Sequence, residues 1–185
     1  MLKSMTSTSP ITAAELEHLY LPDKQVELVR GQLLVREPPG TWHGRVSARL
    51  TTLLDTFVEQ HGLGAVFAQD TGFKLAADPD TVRGADVAFV RSQELHRVRR
   101  RGFAELAPDL VAEVLSPDDR PAEVLAKVAE WLGAGTSLVW VIDPQRTEAL
   151  VYRADGSVSV VQQDGTLDGE AVVPGFSCAL REVLR

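Results

Sequence analysis

Three carboxylates and one amine stand in apolar stretches of this chain, where charge is costly. Asp86 lies within Ala85-Asp86-Val87-Ala88-Phe89-Val90, and Glu113 within Leu110-Val111-Ala112-Glu113-Val114-Leu115. Both runs predict buried strands, and a carboxylate in such a strand needs a cation beside it. Side chains alternate along a strand, so Glu113 shares a face with Val111 and Leu115, and Asp86 with Ala88 and Val90. Paired in suitable register, the two strands bring both carboxylates to one spot. Hard oxygen donors of that kind suit Mg2+ or Mn2+, which keep several waters for a substrate phosphate. The competing reading pairs each acid with a nearby arginine or lysine.

The third carboxylate is Glu27, within Val26-Glu27-Leu28-Val29; at a sheet edge such an acid is either solvated or a further member of the site. The amine is Lys127. Glu123 lies four residues before it, the order that favours a surface ion pair of roughly 0.2–0.5 kcal/mol. Val124 and Trp131 flank Lys127 at three and four residues, so an inward orientation is equally open. A buried ammonium would orient an attacking water or stabilise the charge of a pentacovalent phosphorus. Metal plus lysine points to phosphodiester chemistry. His43, at the start of a long amphipathic segment, precedes Val46 and Leu50 and faces the apolar side, as a structural contact or a phosphate contact. His18, His61 and His96 have no partner at catalytic spacing and are expected at the surface. No serine or cysteine stands in a nucleophile motif.

The elements that must position these groups follow from patterning. Thr12 with Glu15 is a capping box opening a helix over 12–20. Residues 26–30 and 32–36 predict a hairpin broken at Gly31. Val46, Leu50, Leu53, Leu54, Phe57 and Val58 share one helical face over 43–60, and Gly62 stops that helix. Strands are expected over 65–69, 72–75, 82–90 and 110–115. Pro121 opens a helix over 121–133, and 138–142 is a continuous apolar run predicting a strand covered on both faces. Residues 148–153 and 158–162 form a hairpin around Asp155-Gly156, with strand edges such as 148–153 available to a partner. The C-terminal segment containing Cys178 is expected in the core. The order predicts an α/β (α+β mixed) domain with a central mixed sheet flanked by helices, preceded by a helix and hairpin. Residues 1–11 are expected to be loose and 12–185 to form one domain.

At 185 residues and 44% hydrophobic content, the chain can bury one core. A net charge of −7 argues against a general nucleic-acid coat. Arg97, Arg99, Arg100 and Arg101 are either a local phosphate-contacting patch or a solvated loop. One cysteine precludes a disulfide within the chain. No glycine-rich phosphate loop follows a strand, so no organic nucleotide cofactor is expected. No apolar run approaches a membrane span, and no signal peptide is evident, so a cytoplasmic protein is expected.

Taken in order, Val26-Glu27-Leu28-Val29-Arg30-Gly31-Gln32-Leu33-Leu34-Val35, then His43, Ala85-Asp86-Val87-Ala88-Phe89-Val90 and Pro108-Asp109-Leu110-Val111-Ala112-Glu113-Val114-Leu115-Ser116-Pro117 resemble the restriction-endonuclease-like Uma family. Lys127, Trp140-Val141-Ile142-Asp143-Pro144 and Pro174-Gly175-Phe176 extend the likeness over about 12–184. That family belongs to the PD-(D/E)XK nuclease superfamily. The resemblance implies a restriction-endonuclease-like core and a divalent-metal site from Asp86 and Glu113, with Glu27 as a further acid. Ala85 replaces the superfamily's proline, and Leu115 its lysine; in this family the lysine moves to the following helix, which matches Lys127. His43 matches the family's histidine. The expectation is an Mg2+- or Mn2+-dependent DNA endonuclease built from Asp86, Glu113, Glu27, Lys127 and His43, working as a homodimer. The alternatives are a nuclease-fold module that binds nucleic acid or protein without cleaving, and hydrolysis of a small phosphate ester.

Overall fold

The computed structural model describes residues 9–98 and 101–185, the side chain of Asp70 excepted. Residues 1–8 of the segment expected to be loose, and Arg99 and Arg100 of the basic stretch, lie outside it.

Helix α1 (Ala13–Glu17) starts at the expected capping box: Glu15 N–H donates to Thr12 Oγ1 at 3.2 Å, and Thr12 N–H to Glu15 Oε2 at 2.8 Å. It is shorter than its pattern predicts. Strands β1 (Gln25–Val29) and β2 (Gln32–Arg36) form the predicted hairpin. Arg30 and Gly31 both take positive φ, the two-residue turn that matches strand twist. Gly31 is required there, because a Cβ would stand 2.3 Å from that of Pro10. Helix α2 (Thr41–His61) buries Val46, Leu50, Leu54 and Val58 and ends at left-handed Gly62, as its periodicity predicts.

Strand β3 (Gly64–Ala76) is one strand rather than two. The polar kink expected at 70–71 is a register shift between Ala68 and Thr71 against β4 (Thr81–Arg91). Both residues of the expected gap are absorbed as an irregularity, which bends a strand without ending it. A 3-10 helix (Ser92–Arg97) leads to β5 (Leu110–Val114). Helix α3 (Pro121–Ala134) has Pro121 in its first turn and ends at left-handed Gly135. Strands β6 (Leu138–Asp143), β7 (Glu148–Arg153) and β8 (Val158–Gln162) follow. Strands β9 (Thr166–Asp168) and β10 (Ser177–Ala179) pair as a small separate sheet before α4 (Leu180–Leu184).

The main sheet runs β2-β1-β4-β5-β6-β7-β8, with β3 also on β4. Among the named strands only β5 and β6 pair in parallel, so the sheet is mixed. One face packs on α2, α4 and the β9–β10 segment through Phe89, Trp140, Phe176 and Cys178. The other packs on α3 through Phe73, Val111, Val139 and Trp131. Cys178 is therefore core, as expected. Strand β7 is not an edge: β8 covers it and is the edge strand at that end of the sheet.

Candidate active site

The site begins as a gap in strand pairing. Strand β3 follows β4 along one side. On the other side β1 bonds β4 at Val82, and β5 joins only from Val87 onward. Residues 83–86 therefore lack a strand partner on that side, and buried backbone groups left so must find side chains. Gly84 does: its N–H donates to Glu27 Oε1 at 2.9 Å, and its carbonyl accepts from Lys127 Nζ at 2.8 Å. Asp86 Oδ2 accepts the Val114 N–H at 2.7 Å and meets His43 Nε2 at 3.0 Å. A carboxylate only accepts, so the proton of that second bond sits on Nε2.

Helix α3 supplies the other wall. Glu113 Oε2 accepts from Lys127 Nζ at 2.9 Å, and Oε1 from the Trp131 indole N–H at 2.8 Å. Lys127 Nζ also lies 3.3 Å from Glu27 Oε1. Arg83, buried in β4, ties Glu27 Oε2 (2.7 Å) to Glu130 Oε2 (2.6 Å). Residues 127, 130 and 131 face one way because three- and four-residue spacings share a helix side. His43 reaches the gap from α2 on one side, and Lys127 and Trp131 from α3 on the other.

The electrostatics follow from burial. Desolvation pushes the Glu113 carboxyl up to about 7 against the pull of Lys127, and the charges of Asp86 and Glu27 add to the rise. Burial works against the Lys127 ammonium, yet Glu113, Glu27 and Asp86 together raise its proton affinity. Burial also works against Glu27, but Lys127, Arg83 and the Gly84 N–H hold its carboxyl below the usual range. For His43, burial is outweighed by the bond to Asp86 and by the charges of Asp86, Asp119 and Glu113, so its proton is held more tightly than usual.

Within this network four carboxylates (Glu27, Asp86, Glu113 and Glu130) face two permanent cations, Arg83 and Lys127. It is short of positive charge. Among the described residues no group of three or more His, Cys, Asp or Glu is arranged to hold a metal ion. Two carboxylates suffice for Mg2+, which commonly takes one or two and keeps its waters. Asp86 receives both of its hydrogen bonds on Oδ2, and Glu113 is the acid whose charge is least compensated. An oxygen-only donor set with surplus negative charge fits a hard divalent cation.

All five residues singled out in the sequence, Glu27, His43, Asp86, Glu113 and Lys127, fall in this one network. Lys127 turns inward; Glu123, its alternative partner, pairs instead with Arg36 at 3.3 Å and Arg120 at 3.6 Å. His18, His61 and His96 are exposed. Arg97 is occupied by Glu94 (2.9 Å) and the Glu105 carbonyl (2.8 Å).

A family model, "Uma2: Putative restriction endonuclease", matches residues 13–181. The chain belongs to the Uma2 family. A crystal structure described as a putative nuclease belonging to DUF820, from Anabaena variabilis, superposes with a TM-score of 0.81 at 20% identity. That match covers 95% of this chain and 98% of the other. No curated protein matches the chain. The likeness in fold supports the restriction-endonuclease-like core expected from the sequence: a central mixed sheet flanked by helices. In this Uma2 chain, three members of the network escaped the sequence reading. Arg83 stands three residues before Asp86 as a cation inside the predicted strand 82–90, and that was its signal. Glu130 and Trp131 follow Lys127 at helical spacing. Their partners lie 47 and 18 residues away in the chain, so no local pattern pairs them.

Proposed function

We propose that this Uma2 protein hydrolyses phosphodiester bonds of DNA with Mg2+ or Mn2+ at Asp86 and Glu113. The observation that carries the reading is the Lys127 ammonium, fixed between Glu113, Glu27 and the Gly84 carbonyl beside Asp86. Asp86 and Glu113 would hold the divalent ion, which would supply Lewis-acid charge at the phosphate. Lys127 stays protonated because acids surround it, so it acts as a fixed positive donor and not as a base. It orients water and offsets negative charge that builds at phosphorus. His43 holds Asp86 in place by donating its Nε2 proton to Oδ2. Glu27 supports this shell by anchoring Lys127, Arg83 and the Gly84 N–H. We further propose that two copies pair through β8, leaving the gap between β1 and β5 open on each.

Purified protein is expected to nick supercoiled plasmid with Mg2+ or Mn2+ and to lose that activity in Asp86→Ala. Nicking that survives the substitution rejects the metal role. The alternative, a nuclease-fold module without cleavage, is favoured by the net charge of −7, since duplex binding draws on many free cations. Calorimetric titration with Mn2+ separates the two: binding lost in Glu113→Gln supports the enzyme, and no binding at millimolar metal supports the module.

A further inference from the structure

The chain has three tryptophans, and two of them, Trp131 and Trp140, are fully buried. Trp42 is 54% exposed, in the first turn of α2, immediately before the histidine whose ring reaches Asp86. It takes part in none of the ring contacts found among the described residues. An exposed indole one residue before the histidine of a charged site is available to a flat, apolar ligand face. Arg36 ends β2 just before α2 begins and is tied to Asp119 at 3.2 Å, and the neighbouring Arg120 side chain is itself exposed.

Bases in an intact duplex have both faces covered by neighbours, so an indole at this position can stack only on a base that has left its pair. Charge points the same way. The chain is acidic, and Lys74, Arg36, Arg83, Arg91, Arg97 and Arg153 are already paired with its own carboxylates. The net charge of −7 opposes a run of phosphates, the term that dominates duplex affinity. Stacking does not need that term and is tolerant of sequence.

We propose that Trp42 is a substrate-positioning residue that stacks on an unpaired nucleobase, so that the preferred substrate is single-stranded or frayed DNA entering at the α2 end of the site. This rests on the phosphodiesterase reading above and narrows its substrate class.

The test is the intrinsic fluorescence of metal-free protein in EDTA, titrated with an oligothymidylate, with the matching duplex, and with an abasic strand of equal length. Expected is quenching by the oligothymidylate that is weaker with the duplex and the abasic strand. Trp42→Ala, followed by fluorescence anisotropy of a labelled oligothymidylate, is expected to weaken binding roughly 5- to 150-fold, the equivalent of about 1–3 kcal/mol per stacked base. Trp42→Phe, which keeps an aromatic face, is expected to restore most of it. With Mn2+ present, Trp42→Ala should raise KM for single-stranded substrate and leave kcat largely intact. Unchanged affinity in Trp42→Ala, or equal quenching by the abasic strand, overturns the proposal. Plasmid and single-strand cleavage are scored alongside. Wild-type cutting with no Trp42 dependence removes the stacking role and leaves the phosphodiesterase. Trp42-dependent quenching in a protein that never cuts keeps the stacking role and removes the phosphodiesterase.

Discussion

Glu113 is the group whose ionisation the fold tolerates least. Its carboxyl is held up at about 7, whereas the same group in the unfolded chain titrates near 4.5. Between those two values the folded state binds the proton more tightly than the unfolded one. Stability of metal-free protein therefore falls as pH rises through that window. His43, with its proton affinity raised, adds a decline of the same sign above its ordinary 6.5. Glu27, whose carboxyl is depressed, acts only below about 4.5, where stability is lost as pH falls. The Glu113 share is on the order of 3 kcal/mol. Glu113→Gln removes it while Lys127 keeps Glu27 and the Gly84 carbonyl as partners. The expected outcome is a melting temperature, in EDTA, that drops markedly from pH 5 to pH 8 in the wild type and much less in the variant. Mn2+ should flatten the wild-type profile and leave the variant unmoved. Parallel profiles for the two proteins would show that Glu113 is not the titrating group.

At the scale of elements, what holds Glu27 in reach of Lys127 is the docking of α1 against the β1–β2 hairpin and the β3–β4 turn. Asp80 is the clasp. Its Oδ2 accepts the Ala13 N–H at 2.7 Å, its Oδ1 meets Lys74 Nζ at 2.8 Å, and its carbonyl accepts the Gly31 N–H at 2.8 Å. Ala13, Leu16, Leu28 and Val82 close over one another behind it. Asp80→Ala is expected to cost about 1–2 kcal/mol in chemical denaturation, as the loss of a charged cap does. Faster amide exchange should be confined to α1 and the hairpin. The Ala13 N–H first, and then Lys74, depress the Asp80 carboxyl, so this contribution is present above the unfolded value and fades as acid titrates it. A loss spread evenly over the sheet would contradict a local clasp. Much of this layer was legible in the sequence. The capping box, the α2 stripe and the Arg30-Gly31 turn are each local codes read within a few residues. The inward turn of Lys127 was not, because Glu123 offers the same helix spacing as a surface pair. What decides is Arg36, from β2, taking Glu123 away. The β9–β10 pair was also missed, since strands of three residues are too short to display a period.

For the molecule as a whole, the sheet leaves one edge that carries no defence. Strand β8 reads Val158-Ser159-Val160-Val161-Gln162, with no charge and no proline, the usual guards against edge pairing. Val158 and Val160 are each more than half exposed, opposite Tyr152 and Leu150 of β7. An antiparallel β8–β8 pair about a two-fold axis would satisfy the free backbone groups and cover these valines, and it asks for no charge complementarity because the strand has none. The axis would lie at the far end of the sheet from the β1–β4–β5 gap, so both sites would stay open to a strand of DNA. Light scattering at tens of micromolar protein is expected to give about twice 20.1 kDa. Val160→Lys places a charge at the centre of the pairing and should return a monomer that melts cooperatively, because the side chain it replaces lies outside the core. Such a monomer should cleave single-stranded substrate with unchanged kcat, since no partner residue reaches the gap. A wild-type chain that is monomeric at that concentration, or a lysine variant that remains dimeric, rules out β8 as the interface.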